Sequence, residues 1–168
     1  MKKRNSKAAR SNVKEGLNIR SFFYVLAFSL FLLFFIGCSK SGAPSCSDDS
    51  VKGLVLDISA GELRNQLLSQ NMMMSSIRVP GSYDDIKKIA SEPNAPPEVV
   101  ELISKVDEQI TQLNINLINV RMNGKNNEIK KCDCGGDLSF ANGKTHSITY
   151  TAQYTEDGKV YVEVAGLK

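Results

Sequence analysis

An α+β fold, with N-terminal helices packed on a four-stranded antiparallel meander sheet, is what this 168-residue sequence predicts. Three observations carry that expectation. Between Val51 and Ile110 the apolar residues recur every three to four positions, the period of a helix with one buried face. From Leu113 to Val164 they recur every second position, the period of a half-buried strand. Two short turns ending in glycine, at Gly143 and Gly158, then join consecutive strands as hairpins.

The first helix starts at Ser47-Asp48-Asp49-Ser50, whose hydroxyls and carboxylates suit an N-cap and the positive end of the helix dipole. Val51, Leu54, Val55 and Ile58 form its buried face, and Leu63, Leu67 and Leu68 extend it to about Gln70. Gly61 is its weak point, about 1 kcal/mol less favourable than Ala. There Ser59 and Glu62, spaced as a capping box, offer a second start. Met72-Met73-Met74 reads as core filler, since Met adapts to irregular gaps. Ser82 caps a short helix carrying Ile86, Ile89 and Ala90. Pro96-Pro97 opens another, with Val99, Val100, Leu102, Ile103, Val106 and Ile110 at helical spacing.

Leu113, Ile115 and Leu117 alternate with asparagines, and Ile118, Val120 and Met122 then alternate on the opposite parity. That switch between Leu117 and Ile118 is the mark of a β-bulge, and Asn123-Gly124 is the expected turn. The next strands place Cys132, Cys134, Leu138 and Phe140, then Ile148, Tyr150, Ala152 and Tyr154, then Val160, Val162 and Val164 on one face. Three-residue loops at Ala141-Asn142-Gly143 and Glu156-Asp157-Gly158 keep every pair on a common face. They pair Leu138 with His146, Cys134 with Tyr150, Cys132 with Ala152, Tyr154 with Val160 and Ala152 with Val162.

Ahead of this domain the chain changes character. Seven basic residues, from Lys2 to Arg20, precede an unbroken apolar run over residues 21–36 that stops at Gly37-Cys38. Basic head, short apolar middle and small residue at the break are the parts of a secretory signal. The run is shorter than the ~20 residues of an ordinary spanning helix, although an uncleaved anchor remains the alternative. Phe35-Ile36-Gly37-Cys38 resembles the lipobox of bacterial lipoproteins. That resemblance implies acylation of Cys38, cleavage of residues 1–37 and attachment to the lipid bilayer through Cys38. Ser39 in place of Asp implies sorting to the outer membrane, with the domain facing the periplasm. Residues 38–45, rich in Ser, Gly and Pro, read as a flexible tether, and residues 46–168 as one domain.

Removing the signal reverses the charge. The whole chain carries 21 Lys and Arg against 18 Asp and Glu; beyond Cys38 there are 14 against 17, net −3. With no basic stripe left, nucleic acid is excluded as a partner.

Cys46, Cys132 and Cys134 then remain in an oxidising compartment. Cys132 and Cys134 point to one face of a strand and are poorly placed to bridge each other. Cys46 at the helix start is the natural partner for one of them. The register does not choose, but Gly135-Gly136 suggests a bulge that would carry Cys134 away, which favours a disulfide between Cys46 and Cys132 and a free thiol at Cys134. A metal site is not expected: His146, opposite Leu138, falls about 13 Å from Cys134 along the strand. No cofactor or catalytic set emerges from one histidine, and Asp48-Asp49 and Asp84-Asp85 read as helix-start carboxylates. Arg121 falls on the solvent side of its strand.

Helices followed by a four-stranded sheet resemble the cystatin-like and NTF2-like cone folds. Residues 119–138, 145–154 and 159–164 look like those of small bacterial envelope lipoproteins. The resemblance implies a non-enzymatic, disulfide-stapled binding or structural module on a membrane, with an envelope protein as partner. The other expectation is a small thiol-redox or ligand-binding protein, using the unpaired cysteine or a cavity under the sheet.

Overall fold

The computed structural model describes residues 42–167, and within them the order is three helices and then four strands. Helix α1 spans Asp49–Met74, α2 Tyr83–Ala90 and α3 Pro97–Leu113; β1 spans Asn116–Asn126, β2 Lys131–Ser139, β3 Thr145–Tyr154 and β4 Val160–Ala165. The strands form one antiparallel sheet in the order β1-β2-β3-β4, so the α+β meander is the observed architecture.

Helix α1 runs without interruption through Gly61, for 26 residues or about 39 Å. Its length lets it serve two cores. Val51 and Val55 pack against Cys132, Cys134, Leu138, Ile148, Tyr150, Ala152 and Val162 of the sheet. Leu68, well along the helix, packs instead with Tyr83 and Ile86 of α2 and Val99, Leu102, Ile103 and Val106 of α3. Thus α1 carries the packing between helices and sheet, while α2 and α3 build a second core on its C-terminal half. Asn71 ties that half to α3, its amide nitrogen donating to Leu67 O and Gln109 Oε1 at 2.8 Å each.

The N-terminal signals of α2 and α3 are realised, whereas Asp48 at the start of α1 makes no side-chain cap hydrogen bond. Ser82 and Asp85 form a reciprocal capping box on α2, which also lowers the Asp85 pKa. Pro97 opens α3, and Asn114 closes it in the left-handed conformation at φ 43°. The helix therefore takes Leu113, expected in the strand, and β1 begins at Asn116. The methionine run also departs from expectation. Met72 packs against the helical core, but Met73 and Met74 are 80% and 67% exposed, while buried Asn71 is the residue of the last turn of α1 that faces α3.

Both three-residue hairpins have the expected register: Tyr154 lies opposite Val160, Ala152 opposite Val162, and Cys134 opposite Tyr150. Gly143 and Gly158 each take φ 77°, the left-handed conformation these loops demand. In β1 the bulge lies between Ile118 and Arg121, with Asn119 at φ 52°, and a second irregularity separates Met122 from Gly124. Leu117 and Val120 consequently face the core while Ile118 and Met122 are exposed. Asn123-Gly124 does not turn the chain. The turn comes at residues 127–130, where the Asn126 side chain accepts from the N–H groups of Glu128 and Ile129.

Candidate functional site

The site with the most chemistry is a cluster of three sulfurs between α1 and the sheet. A short segment delivers the first of them. Ala43 packs against the core and Pro44 is fully buried, so the packed domain starts ahead of Cys46, within the stretch expected to be flexible tether. Asp48 then fixes the approach to α1, its Oδ2 accepting from the Ser45 N–H at 3.1 Å. Cys46, so placed, meets β2 at Cys132 and Cys134, which project inward from one strand two residues apart.

The disulfide joins Cys46 to Cys134, with Cα atoms 5.8 Å apart, and Cys132 keeps its thiol. The expected assignment of Cys132 as the bonded partner and Cys134 as the free thiol is reversed. Its premise, a bulge at Gly135-Gly136, does not hold: β2 pairs with β3 in unbroken register from Lys131 to Ser139, and the irregularities belong to β1. Gly135 and Gly136 have another reason to be small. A Cβ on Gly135 would stand 3.1 Å from the Arg121 guanidinium, and one on Gly136 3.0 Å from Leu117 Cδ1. Arg121, on the solvent side as expected, is thus laid across the backbone of β2.

Cys132 Sγ lies 3.7 Å from Cys46 Sγ and 3.4 Å from Cys134 Sγ, beside the disulfide and nearly equidistant from its two sulfurs. All three cysteines are buried. Burial pushes the Cys132 thiol above its usual pKa, which keeps it protonated and poorly nucleophilic near neutrality. Tyr150, on the adjacent strand, donates its hydroxyl to the Cys46 carbonyl at 3.0 Å. Its pKa is pushed up to about 12, chiefly by burial and further by the neighbouring Cys132. That hydrogen bond holds the start of α1 over β3. Sequence reasoning places Tyr150 in the core but misses its partner, although a buried tyrosine hydroxyl requires one.

Among the described residues no histidine or carboxylate joins the sulfur group. His146 is elsewhere, its Nε2 against the carbonyl of Gly166. Asp49 pairs with Lys52 at 2.7 Å, Asp48 accepts from the Ser45 N–H and Asp85 serves its cap, so these three of the four expected helix-start carboxylates act locally. Unforeseen in the sequence is a polar cluster at the exposed edge of the helical core: Tyr83 donates to Asp107, and Lys87 Nζ reaches Tyr83 OH at 2.9 Å and Asp107 Oδ2 at 3.0 Å. Lys87 and Asp107 are spaced across two helices, which leaves no local sequence signal for the pair.

The inner face of the sheet is filled by the side chains of the first core. On its outer face an open groove of about 530 Å³ runs past Asn123, Asp133, Thr149, Thr151, Glu163 and Ala165. Among the described residues no helix is long and apolar enough to cross a membrane. Cys38, the lipidation candidate, and the apolar run before it lie outside the described residues. No family model, curated protein or solved structure matches the chain.

Proposed function

We propose that this chain is a bacterial envelope lipoprotein, anchored in the outer membrane through acylated Cys38 and presenting a non-enzymatic binding or structural domain to the periplasm. The observation that carries this reading is the basic head, the 16-residue apolar run and the abrupt stop at Gly37-Cys38. Two features of the domain agree with it. A buried disulfide between helix and sheet suits an oxidising compartment. The few residues between Cys38 and buried Pro44 would hold the domain close to the lipid surface, presenting it to an envelope protein partner.

The thiol-redox alternative has less support. A catalytic thiol needs a lowered pKa and access to its substrate, whereas the Cys132 thiol is buried and its pKa is raised. No enzyme activity and no cofactor are proposed.

Intact mass of the protein extracted from bacterial membranes tests the anchor, together with the fractionation of Cys38→Ala. The expected species begins at Cys38 and carries acyl chains, and the variant loses that modification. A full-length, unacylated species that stays in the membrane in both proteins would establish an uncleaved anchor instead. Sedimentation with inner-membrane vesicles would overturn the outer-membrane assignment.

A further inference from the structure

We infer that Cys132 is a second partner for Cys46, so that the folded protein exchanges between a Cys46–Cys134 and a Cys46–Cys132 disulfide. The inference rests on the arrangement of the three sulfurs. Cys132 and Cys134 project from the same face of β2, and Cys46 reaches both, with Cys132 Sγ only 3.7 Å from Cys46 Sγ. The cluster is closed, all three side chains being 3% exposed or less, so an outside thiol does not compete for Cys46 in the folded state.

The exchange needs no external oxidant or reductant. The Cys132 thiolate attacks Cys46 Sγ, a new Cys46–Cys132 bond forms, the Cys46–Cys134 bond breaks, and its electron pair leaves on Cys134 as thiolate. The proton given up by Cys132 is finally carried by Cys134, and the count of one disulfide and one thiol is unchanged. Because Cys132 lies beside the disulfide and not at its end, the in-line geometry of attack requires a rotation of the Cys46 side chain. The exchange is therefore slow, in the range of minutes to hours for uncatalysed disulfide rearrangement.

The thiolate fraction of Cys132 sets the rate, and the surroundings keep it small. Burial disfavours the charge first of all; the Ala152 backbone on β3 favours it by a hydrogen bond, Asp133 on its own strand and Asp48 ahead of α1 add repulsion, and Lys125 on β1 is the opposing cation. Tyr150 on β3 stays neutral beside it until strongly alkaline pH. The consequence is a staple with two seats on β2, both within reach of the Cys46 side chain.

Disulfide mapping of the whole chain carrying Cys38→Ala, which leaves Cys46, Cys132 and Cys134 as its only cysteines, tests this. The folded protein is held without reductant at a series of pH values and quenched in acid. Its free thiol is alkylated on unfolding, and fragmentation on either side of Asp133 locates the label. The label is expected on Cys132 at first and on both Cys132 and Cys134 after incubation, appearing about tenfold faster per pH unit. A label confined to Cys132 at every pH overturns the exchange. Cys134→Ser in that same chain is the second arm, with Cys132→Ser as control. The variant is expected to close a Cys46–Cys132 bond on oxidation, and two open thiols in a folded Cys134→Ser protein would equally overturn it. If that variant does not fold, the mapping of the Cys38→Ala chain decides alone.

Discussion

Cys132 and Cys134 are two residues apart, and in the structure Cys134 is bonded while Cys132 is a thiol. Parity places both on the buried face, which is as far as a strand pattern reaches. Which of them bonds Cys46 depends on where the 42–48 segment brings the helix start, and no local residue encodes that. Gly135 and Gly136 show the same limit. They resemble a bulge in the sequence, yet they lie in regular strand and give way to side chains from β1. Their neighbours lead to opposite expectations. Gly136→Ala sets its Cβ 3.0 Å from Leu117 Cδ1 and 3.4 Å from the Ile118 carbonyl, a core side chain and backbone that have little room to retreat. It is expected to lower stability by about 1–3 kcal/mol. Gly135→Ala meets only the end of the flexible Arg121 side chain, which can lift into solvent, and should stay within about 0.5 kcal/mol of the parent. Urea denaturation of both variants decides, and an equal loss from the two would show that the strand itself, not its neighbours, requires glycine.

Among the elements, the hairpins are the most legible. Their register follows from alternation and from two glycines that must take positive φ, both properties of a few adjacent residues. The β1–β2 connection is misleading because Asn123-Gly124 carries the same signature, while the actual turn is made by the Asn126 side chain a few residues later. For α1, the sequence pattern reaches Gln70 with a weak point at Gly61. That weakness does not matter in the fold: the cores at the two ends of α1 both require a continuous helix, and tertiary packing outweighs one residue's propensity. A Cβ added at Gly61 would meet nothing within 4 Å, so Gly61→Ala gains helix propensity without a clash. It should raise stability by roughly 0.5–1 kcal/mol, read as a higher melting temperature. A loss would mean that the apolar groove beside Gly61, lined by Ile58, Val164 and Leu167, is occupied in the folded protein.

For the molecule as a whole, the disulfide ties the first helix to the sheet across 88 residues of chain. Cross-linking so long a loop restricts the unfolded chain and is worth about 4 kcal/mol on the chain-entropy account. Cys46→Ser removes the helix-side partner of both strand cysteines and should lose about that much. The unmodified chain under a strong reductant should lose a similar amount. Chemical denaturation with and without reductant measures both, and a variant as stable as the oxidised parent would mean that the bond adds nothing to the packing of α1 on the sheet.

Local pattern determined the kinds of element, the two hairpin registers, the inward faces of β2, β3 and β4 and the meeting of a helix-start cysteine with a strand cysteine. Apart from that last meeting, which needed the buried faces of helix and strand to be matched, these depend on residues within one turn or one hairpin of each other, where chain geometry leaves few choices. Tertiary structure alone decided that α1 is shared between two cores, that Cys134 holds the bond while Cys132 stands beside it, and that Tyr83, Lys87 and Asp107 assemble across two helices. Periodicity marks which face of an element must be covered; it carries no information on which distant side chain does the covering.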